Sequence, residues 1–458
     1  MPRQANAKLA EVMRRAQCSN TGLAGRVQVV AREQGIDLKC THVDVRRWLD
    51  GVMPGPATAQ FIATALSRKA GVRISLDDVG MGVTATSADL ESGLDYPADG
   101  AVAAQRLLGL SRRELAGDFA ALGAITVPSA WSAPLLTWLL SRPEPLPVRD
   151  GTRINVGDSD VEAVRTTAQL FMTLDFQFGG GHARAALAQY YVNDVCPLLE
   201  GRYTERVGRR LFSAAAEVAQ LLGWTAYDIG RHGLAQRYLI QALRLAQEAD
   251  DRMMGGRLLS NMSHQATYLG NFEQAVQLAR AAQEGARNAA SATTMAMFLA
   301  MEARAQAGNS DEAACSRALR EAEQFFEKSD TSGDPAWISY FDAAELAGEG
   351  AHCFRDLRSP LMTQEFVTRA IELTDPAYVR TLAFVRQVHA ASCVQVREPG
   401  QAVEVARGAI ELAGSLKSHR YLRYIRDLCA DLSPYDAERD VREFKEFLAG
   451  KYPNLGDG

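Results

Sequence analysis

Apolar residues recur at three- and four-residue intervals along most of the chain, and β-branched runs are almost absent, so the pattern predicts helices rather than strands. Near the N-terminus, KLAEVMRRA (8–16) places Leu9, Val12 and Met13 on one face. NTGLAGRVQVVARE, beginning near Asn20 or Thr21, buries Leu23, Val27 and Val30, and Gly35 breaks it. THVDVRRWLDG (41–51) predicts a short helix with Thr41 as N-cap, Val45, Trp48 and Leu49 at helical spacing, and Gly51 at its end. ATAQFIATALSRKA buries Phe61, Ile62, Ala65 and Leu66, and ISLDDVGM closes a small helical unit over residues 1–82.

Residues 83–155 predict a connector. TATSADLESGLDYPADG, rich in small residues and acids, is a linker, and AAQRLLGLSRRELAGDFAALG is a helix with SRRE as a capping box. PSAWSAPLLTWLLSRPEPLPVRDG is apolar and proline-rich; its stripe of Trp131, Leu135, Trp138 and Leu139 is expected to pack against the next domain. INVGDSDVEAVRTTAQLF then starts a helix with Ser159 as N-cap and Glu162 closing a second box. The glycines of FGGGHARAAL lack the Lys-Ser/Thr of a phosphate loop and a preceding strand, so they read as an interhelical turn.

From about 156 to 450 the periodicity repeats. LLGWTAYDIGRHGLAQRYLIQALRLA (221–246), LSNMSHQATYLGNFEQAVQLARAAQE (259–284) and AMEARAQAGNSDEAACSRALREAE (300–323) align, with Gly-x4-Ala pivots at Gly230/Ala235, Gly270/Ala275 and Gly308/Ala313 and a period of 38 to 40. FDAAELAGEGAHCFRDL begins another unit, and QAVEVARGAIELA (401–413) repeats the spacing with Ala402 and Ala409. Small residues let paired helices approach closely while glycine turns the chain. The pattern resembles tetratricopeptide repeats, with HEAT-like pairs as the alternative, and SPYDAERDVREFKEFLAGKY reads as a capping helix. The expected fold is therefore all-α: an N-terminal helix-turn-helix bundle followed by an α-solenoid of helical hairpins.

Composition adds an asymmetry. Residues 1–80 hold 12 Lys/Arg against 7 Asp/Glu, a net of +5, whereas the remainder holds 38 against 48, giving −5 for the whole chain. A basic head on an acidic body suggests a polyanionic partner for the head. Seven scattered cysteines without a CxxC pair argue against a zinc ribbon or a disulfide framework, and no apolar run reaches the length of a membrane span. With no secretory signal either, the expectation is a cytoplasmic chain without membrane or cofactor.

Within the head, NTGLAGRV, VRRWLDG and ISLDDVG resemble the conserved stretches of Cro/repressor-like (XRE) helix-turn-helix domains, with a turn lengthened by about eight residues at 33–40. The resemblance makes THVDVRRWLDG a recognition helix on double-stranded operator DNA. Thr41, His42, Val43, Asp44 and Arg47 would face the groove, and Arg46, Arg26 and Asn20 would lie near phosphates. Asp44 fits only as an acceptor from cytosine, since a carboxylate repels phosphate.

Laying the tetratricopeptide consensus on the first three repeats points Trp224, Tyr227, Asp228, Arg257, His264, Tyr268, Phe298, Glu302 and Gln306 into a concave groove, with Asn261 nearby. Such a mixture suits a peptide or small ligand. Asp342, Glu345, His352, Cys353 and Asp356 cluster in sequence, yet no HExxH-like signature makes them a metal site, and no nucleophile elbow indicates an enzyme. On the stretch from GGGHARAALAQYY to QALRLA, with NMSHQATYLGNFEQAVQLARAAQEGAR and YFDAAELAGEGAHCFRDL, the chain resembles, over nearly its whole length, actinobacterial helix-turn-helix/tetratricopeptide regulators associated with development and antibiotic production. Its architecture is also similar to peptide-responsive quorum-sensing regulators. That resemblance implies a homodimeric transcriptional regulator whose repeats sense a signalling peptide or small molecule. The alternative is a protein-interaction scaffold with a head that does not bind DNA.

Overall fold

A computed structural model describes residues 5–33, 36, 38–70, 74, 78–81, 93–118, 121, 123–141, 154–414, 416–453 and 455. The Gly35 break, TATSADLES (84–92) and the proline-rich stretch after Ser141 lie outside the described residues. Among the described residues all regular structure is helical, and an isolated bridge joins Asn155 to Arg202.

The head contains α1 (Ala7–Arg15), α2 (Asn20–Glu33), α3 (His42–Leu49) and α4 (Pro56–Ala70). Leu9, Leu23, Val27, Val45, Ile62 and Leu66 are fully buried among them, as the periodicity predicts. Helix α2 begins at Asn20, where the spacing predicts, and the Ser19 hydroxyl before it accepts from the Gly22 N–H at 3.1 Å. Val79 and Met81 close this core, and the Asn6 amide donates to the Val79 carbonyl at 2.9 Å.

The connector holds α5 (Gly100–Leu115) and α6 (Ser132–Leu140), followed by α7 (Asp158–Phe178) and α8 (Arg184–Tyr190), which runs on through a wider π turn at Tyr191–Val195. Five hairpins follow: α9 (Glu205–Asp228) with α10 (His232–Glu248), α11 (Arg252–Tyr268) with α12 (Phe272–Ala286), and α13 (Ala292–Gly308) with α14 (Glu312–Phe326). The last two pair α15 (Ala343–Asp356) with α16 (Pro360–Leu373) and α17 (Val379–Gln395) with α18 (Pro399–Ala413). The first helices of successive hairpins stack on one another from α11 to α17. Finally α19 (His419–Asp431) and α20 (Arg439–Lys451) end the stack, with Val441, Phe444 and Leu448 inward.

Each hairpin turns on one left-handed residue: Gly230 (φ +81°), Gly270 (+79°), Ser310 (+60°), Arg358 (+56°) and Arg397 (+64°). Five positions on sit Ala235, Ala275, Cys315, Thr363 and Ala402, all fully buried where the paired helices meet. The third pivot is thus Ser310/Cys315, two residues beyond the expected Gly308/Ala313, and Ala313 is exposed. Gly308 is a glycine for another reason: a Cβ there would stand 2.4 Å from the Phe272 ring. The spacing of these turns is 40, 40, 48 and 39, so the third interval carries an insertion, residues 327–342 between α14 and α15.

Neither expected capping box forms. Ser111 lies in the last turns of α5, buried, 3.2 Å from the Tyr238 hydroxyl, and Asp99 caps that helix instead. Glu114 accepts from Arg184 (2.5 Å), Arg231 (3.1 Å) and the Tyr238 hydroxyl (2.9 Å), which ties α5 to the repeats. Helix α7 starts after Gly157, whose N–H donates to Asp160 at 2.8 Å, ahead of the expected Ser159.

The connector covers the outer face of α10, so that helix is buried on nearly every side. Its polar residues satisfy the irregular connector backbone: Gln241 donates to the Gly93 and Asp95 carbonyls, Arg244 to Pro97 and Ala98, and Gln236 to Val127. Trp131 and Trp138 are fully buried, as core packing requires. A Cβ at Gly255 or Gly285 would lie 2.4 or 2.2 Å from the Trp138 indole, so both glycines exist to admit that ring. Trp138→Ala is expected to destabilise the chain by about 3–5 kcal/mol, measured as a lowered urea midpoint at unchanged helix content.

Candidate functional site

Counting back from each left-handed turn, positions thirteen, nine and six residues earlier form one inward stripe per hairpin. The stripe supplies Leu221 and Trp224 from α9, Arg257, Asn261 and His264 from α11, and Met297, Met301 and Arg304 from α13. It continues with Glu345, Glu349 and His352 from α15 and Phe384 from α17. These line a cavity with about 120 Å³ open to the centres of water molecules. A second space beside it is bordered by Tyr268, Gly308, Asp356 and Gln395, each two residues before its turn.

The stack bends until its ends meet. Met172, Asp175 and Phe176 of α7 and Arg420 of α19 complete the wall, and the insertion before α15 adds Tyr340 and Phe341. Asp228, fully buried, is the joint. It accepts from Arg380 at 2.8 Å, from the Ser418 hydroxyl at 3.0 Å and from the Gly180 N–H at 3.0 Å, with Arg420 at 3.7 Å. Arg380 also donates to Asp175 at 2.8 Å. Burial alone would raise the Asp228 carboxyl, but Arg380, Arg420, Gly180 and Ser418 outweigh it and hold the group below the ordinary carboxylate value. The FGGG turn is built for this bond: a Cβ at Gly180 would stand 2.9 Å from Asp228 and from the Thr225 backbone. Gly181 and Phe178 bond in turn to the Lys417 backbone.

Arg420 lies 5.3, 4.9 and 5.2 Å from the ring centres of Trp224, Tyr227 and Phe384. Arg304 pairs with Glu349 at 2.5 Å. Glu345 is half-buried, and burial together with Glu349 and Asp342 raises it to about 8. His264 and His352 are held neutral, mainly by burial, with Nδ1 atoms 2.9 and 3.2 Å from the Tyr227 and Tyr424 hydroxyls.

Of the expected groove residues, Trp224, Arg257, Asn261 and His264 line the cavity and Tyr268 the adjoining space. Tyr227 stands behind the wall and Asp228 is the structural joint. Phe298, Glu302 and Gln306 are corrected: none lines the cavity. Phe298 fills the gap left by Gly256, Glu302 turns outward to Arg280 and Gln283, both at 2.8 Å, and Gln306 is buried elsewhere. The two-residue shift of the third pivot explains the error, since counting from Ser310 gives Met297, Met301 and Arg304. The clustered acids also divide. Glu345 and His352 share the cavity wall, Asp342 caps α15, Asp356 pairs with Arg355, and Cys353 is buried near Cys315. Among the described residues no group of three His, Cys, Asp or Glu is arranged to hold a metal ion.

In the head, Thr41, His42, Val43, Arg46 and Arg47 are exposed along α3, Arg26 is exposed on α2, and Asn20 is half-exposed. Val45 and Trp48 anchor the opposite side of α3 in the core. Asp44 is already engaged: its carboxylate accepts from the Thr41 N–H at 2.9 Å and the Thr41 hydroxyl at 2.8 Å, which holds it below the ordinary carboxylate value. It closes the N-terminus of α3 rather than standing free for a base. The head touches the repeats through the end of α2, where the His419 ring bonds the Arg32 backbone and Gly230 approaches the Glu33 carbonyl.

A family model described as SP15 N-terminal domain matches residues 9–82. That match covers the head alone. No curated protein and no solved structure matches the chain. No helix among the described residues is long and apolar enough to cross a membrane.

Asp228→Asn is expected to cost roughly 3–5 kcal/mol, because it leaves buried arginines without their counter-charge; thermal unfolding measures it. Glu345 gives a pH signature. The folded chain holds its proton well above the ordinary value of 4.5, so the stabilisation is full below that value and is lost as pH rises through about 8. Melting temperature should fall between about pH 5 and 8 and level off above, and Glu345→Gln should flatten that fall.

Proposed function

We propose that the protein is a sequence-specific DNA-binding transcriptional regulator whose repeats mediate dimerisation and sense a peptide or small ligand. One observation carries this reading. Arg46 and Arg47 stand exposed on a short helix whose other side, Val45 and Trp48, is fixed in the core of a basic head. A rigid cationic helix of this kind fits the groove of a duplex, where arginine can bridge guanine bidentately and a second cation can neutralise phosphate. In this reading His42, Val43 and Arg47 meet base edges, and Arg46, Arg26 and Asn20 meet the backbone. Asp44 shapes the helix terminus.

The sensing half rests on the cavity inside the stack. Its wall includes Arg420, next in sequence to His419, which holds the head at Arg32. A ligand that favours one placement of Arg420 therefore also favours one seating of the head, the differential binding that a switch requires. Dimerisation sets the spacing of operator half-sites.

The test is an electrophoretic shift with genomic fragments. Discrete sites are expected, and Arg47→Ala should weaken them by about 10- to 100-fold, the loss of one base contact. Salt-sensitive smearing that Arg47→Ala leaves unchanged would overturn the proposal.

A further inference from the structure

We infer that the cavity holds the carboxylate of a small, otherwise apolar acid on Arg257. This deepens the ligand-sensing half of the proposed function and rests on it.

The four cavity arginines are unequal. Arg380 has Asp175 and Asp228, Arg304 has Glu349, and Arg420 has three aromatic rings and the edge of Asp228. Among the described residues Arg257 has no carboxylate within pairing distance. It is 4% exposed, its Nε atom is without a hydrogen-bond partner, and its guanidinium lies over the Trp337 ring at 4.6 Å. A nearby acid, Glu217 of α9, is engaged at 3.4 Å by Arg165. A buried, permanently charged group with an orphaned N–H and no counter-charge is unfavourable unless something outside the chain completes it.

Its surroundings define the completing group. The guanidinium presents a planar fork that a carboxylate matches with two parallel bonds. Ser260 and Asn261 stand on the same helix face, where a hydroxyl and an amide N–H can donate to the same carboxylate. The rest of that wall is soft and apolar, with Met172, Phe176, Met297 and Phe341. Charge decides between anions. With Arg304 and Arg380 already matched, only one free cation remains among the cavity arginines, which suits one negative charge. A doubly charged phosphate would leave its second charge uncompensated beside Asp175 and Glu349. With about 120 Å³ open to the centres of water molecules, the space suits a small molecule rather than a folded segment. The geometry therefore fits a monocarboxylic acid with an aryl or short alkyl body.

The probe is 3-phenylpropionate, compared with its neutral twin 3-phenylpropionamide, titrated against the full chain without DNA. Tryptophan fluorescence reports binding, because Trp224 lines the cavity and Trp337 stacks under Arg257. The acid is expected to bind saturably and at least tenfold more tightly than the amide, and Arg257→Met should abolish that preference while circular dichroism shows the helices intact. Should Arg257→Met fail to fold, Arg257→Lys keeps the charge, loses the fork and should weaken the acid at least fivefold. The inference is overturned if neither probe binds, if acid and amide bind alike, or if the preference survives substitution of Arg257. Since DNA is absent, failure here leaves the DNA-binding reading standing, and a failed gel shift leaves this site standing.

Discussion

A single carboxylate holds the ends of the structure together. Asp228 closes the first helix of the first hairpin, yet it bonds to Gly180, Arg380 and Ser418, which belong to three other parts of the chain. A stack of hairpins is ordinarily open, each unit touching only its neighbours. Here the buried charge and its donors join the beginning of the stack to its end. Several features follow from that closure: a glycine with no room for a side chain at 180, a backbone stitch between Phe178 and Lys417, and a concave face that has become an interior.

Turning a groove into an interior changes what its polar residues mean. On an open surface, arginines and glutamates at inward positions would be solvated and individually worth little. Enclosed, they must be matched, and most are: Arg304 by Glu349, Arg380 by two aspartates, Arg420 by rings. The insertion before α15 takes part in the enclosure, placing Tyr340 and Phe341 against the same space and Trp337 against Arg257. Matching is what makes the one unmatched guanidinium informative.

The helical class, the paired repeats and the packing of the head were legible from periodicity alone, because the buried faces of α1 to α4 follow the 3.6-residue rule and small residues mark the hairpin contacts. The site was half legible. Trp224, Arg257, Asn261 and His264 follow from a consensus anchored on Gly230 and Gly270, where glycine announces the left-handed turn. At Ser310, Arg358 and Arg397 non-glycine residues adopt the same conformation, held there by the helices on either side, and no local signal marks them. A strict period of 40 would have found Ser310, and with it Met297, Met301 and Arg304. Arg420, Asp175 and Tyr340 were beyond reach, since only closure of the stack brings them to the cavity. The expected caps at Ser111 and Ser159 failed for a related reason. Both sequences satisfy the local rule, but packing against Tyr238 in one case and an earlier helix start at Gly157 in the other took precedence.

The neighbouring residues His419 and Arg420 serve opposite sides of one helix start, one gripping the head and the other roofing the chamber. One peptide unit separates the two duties. The tail of the chain is thus a latch: cutting it away before residue 415 would unroof the chamber and strip the head of its His419 hold in a single event.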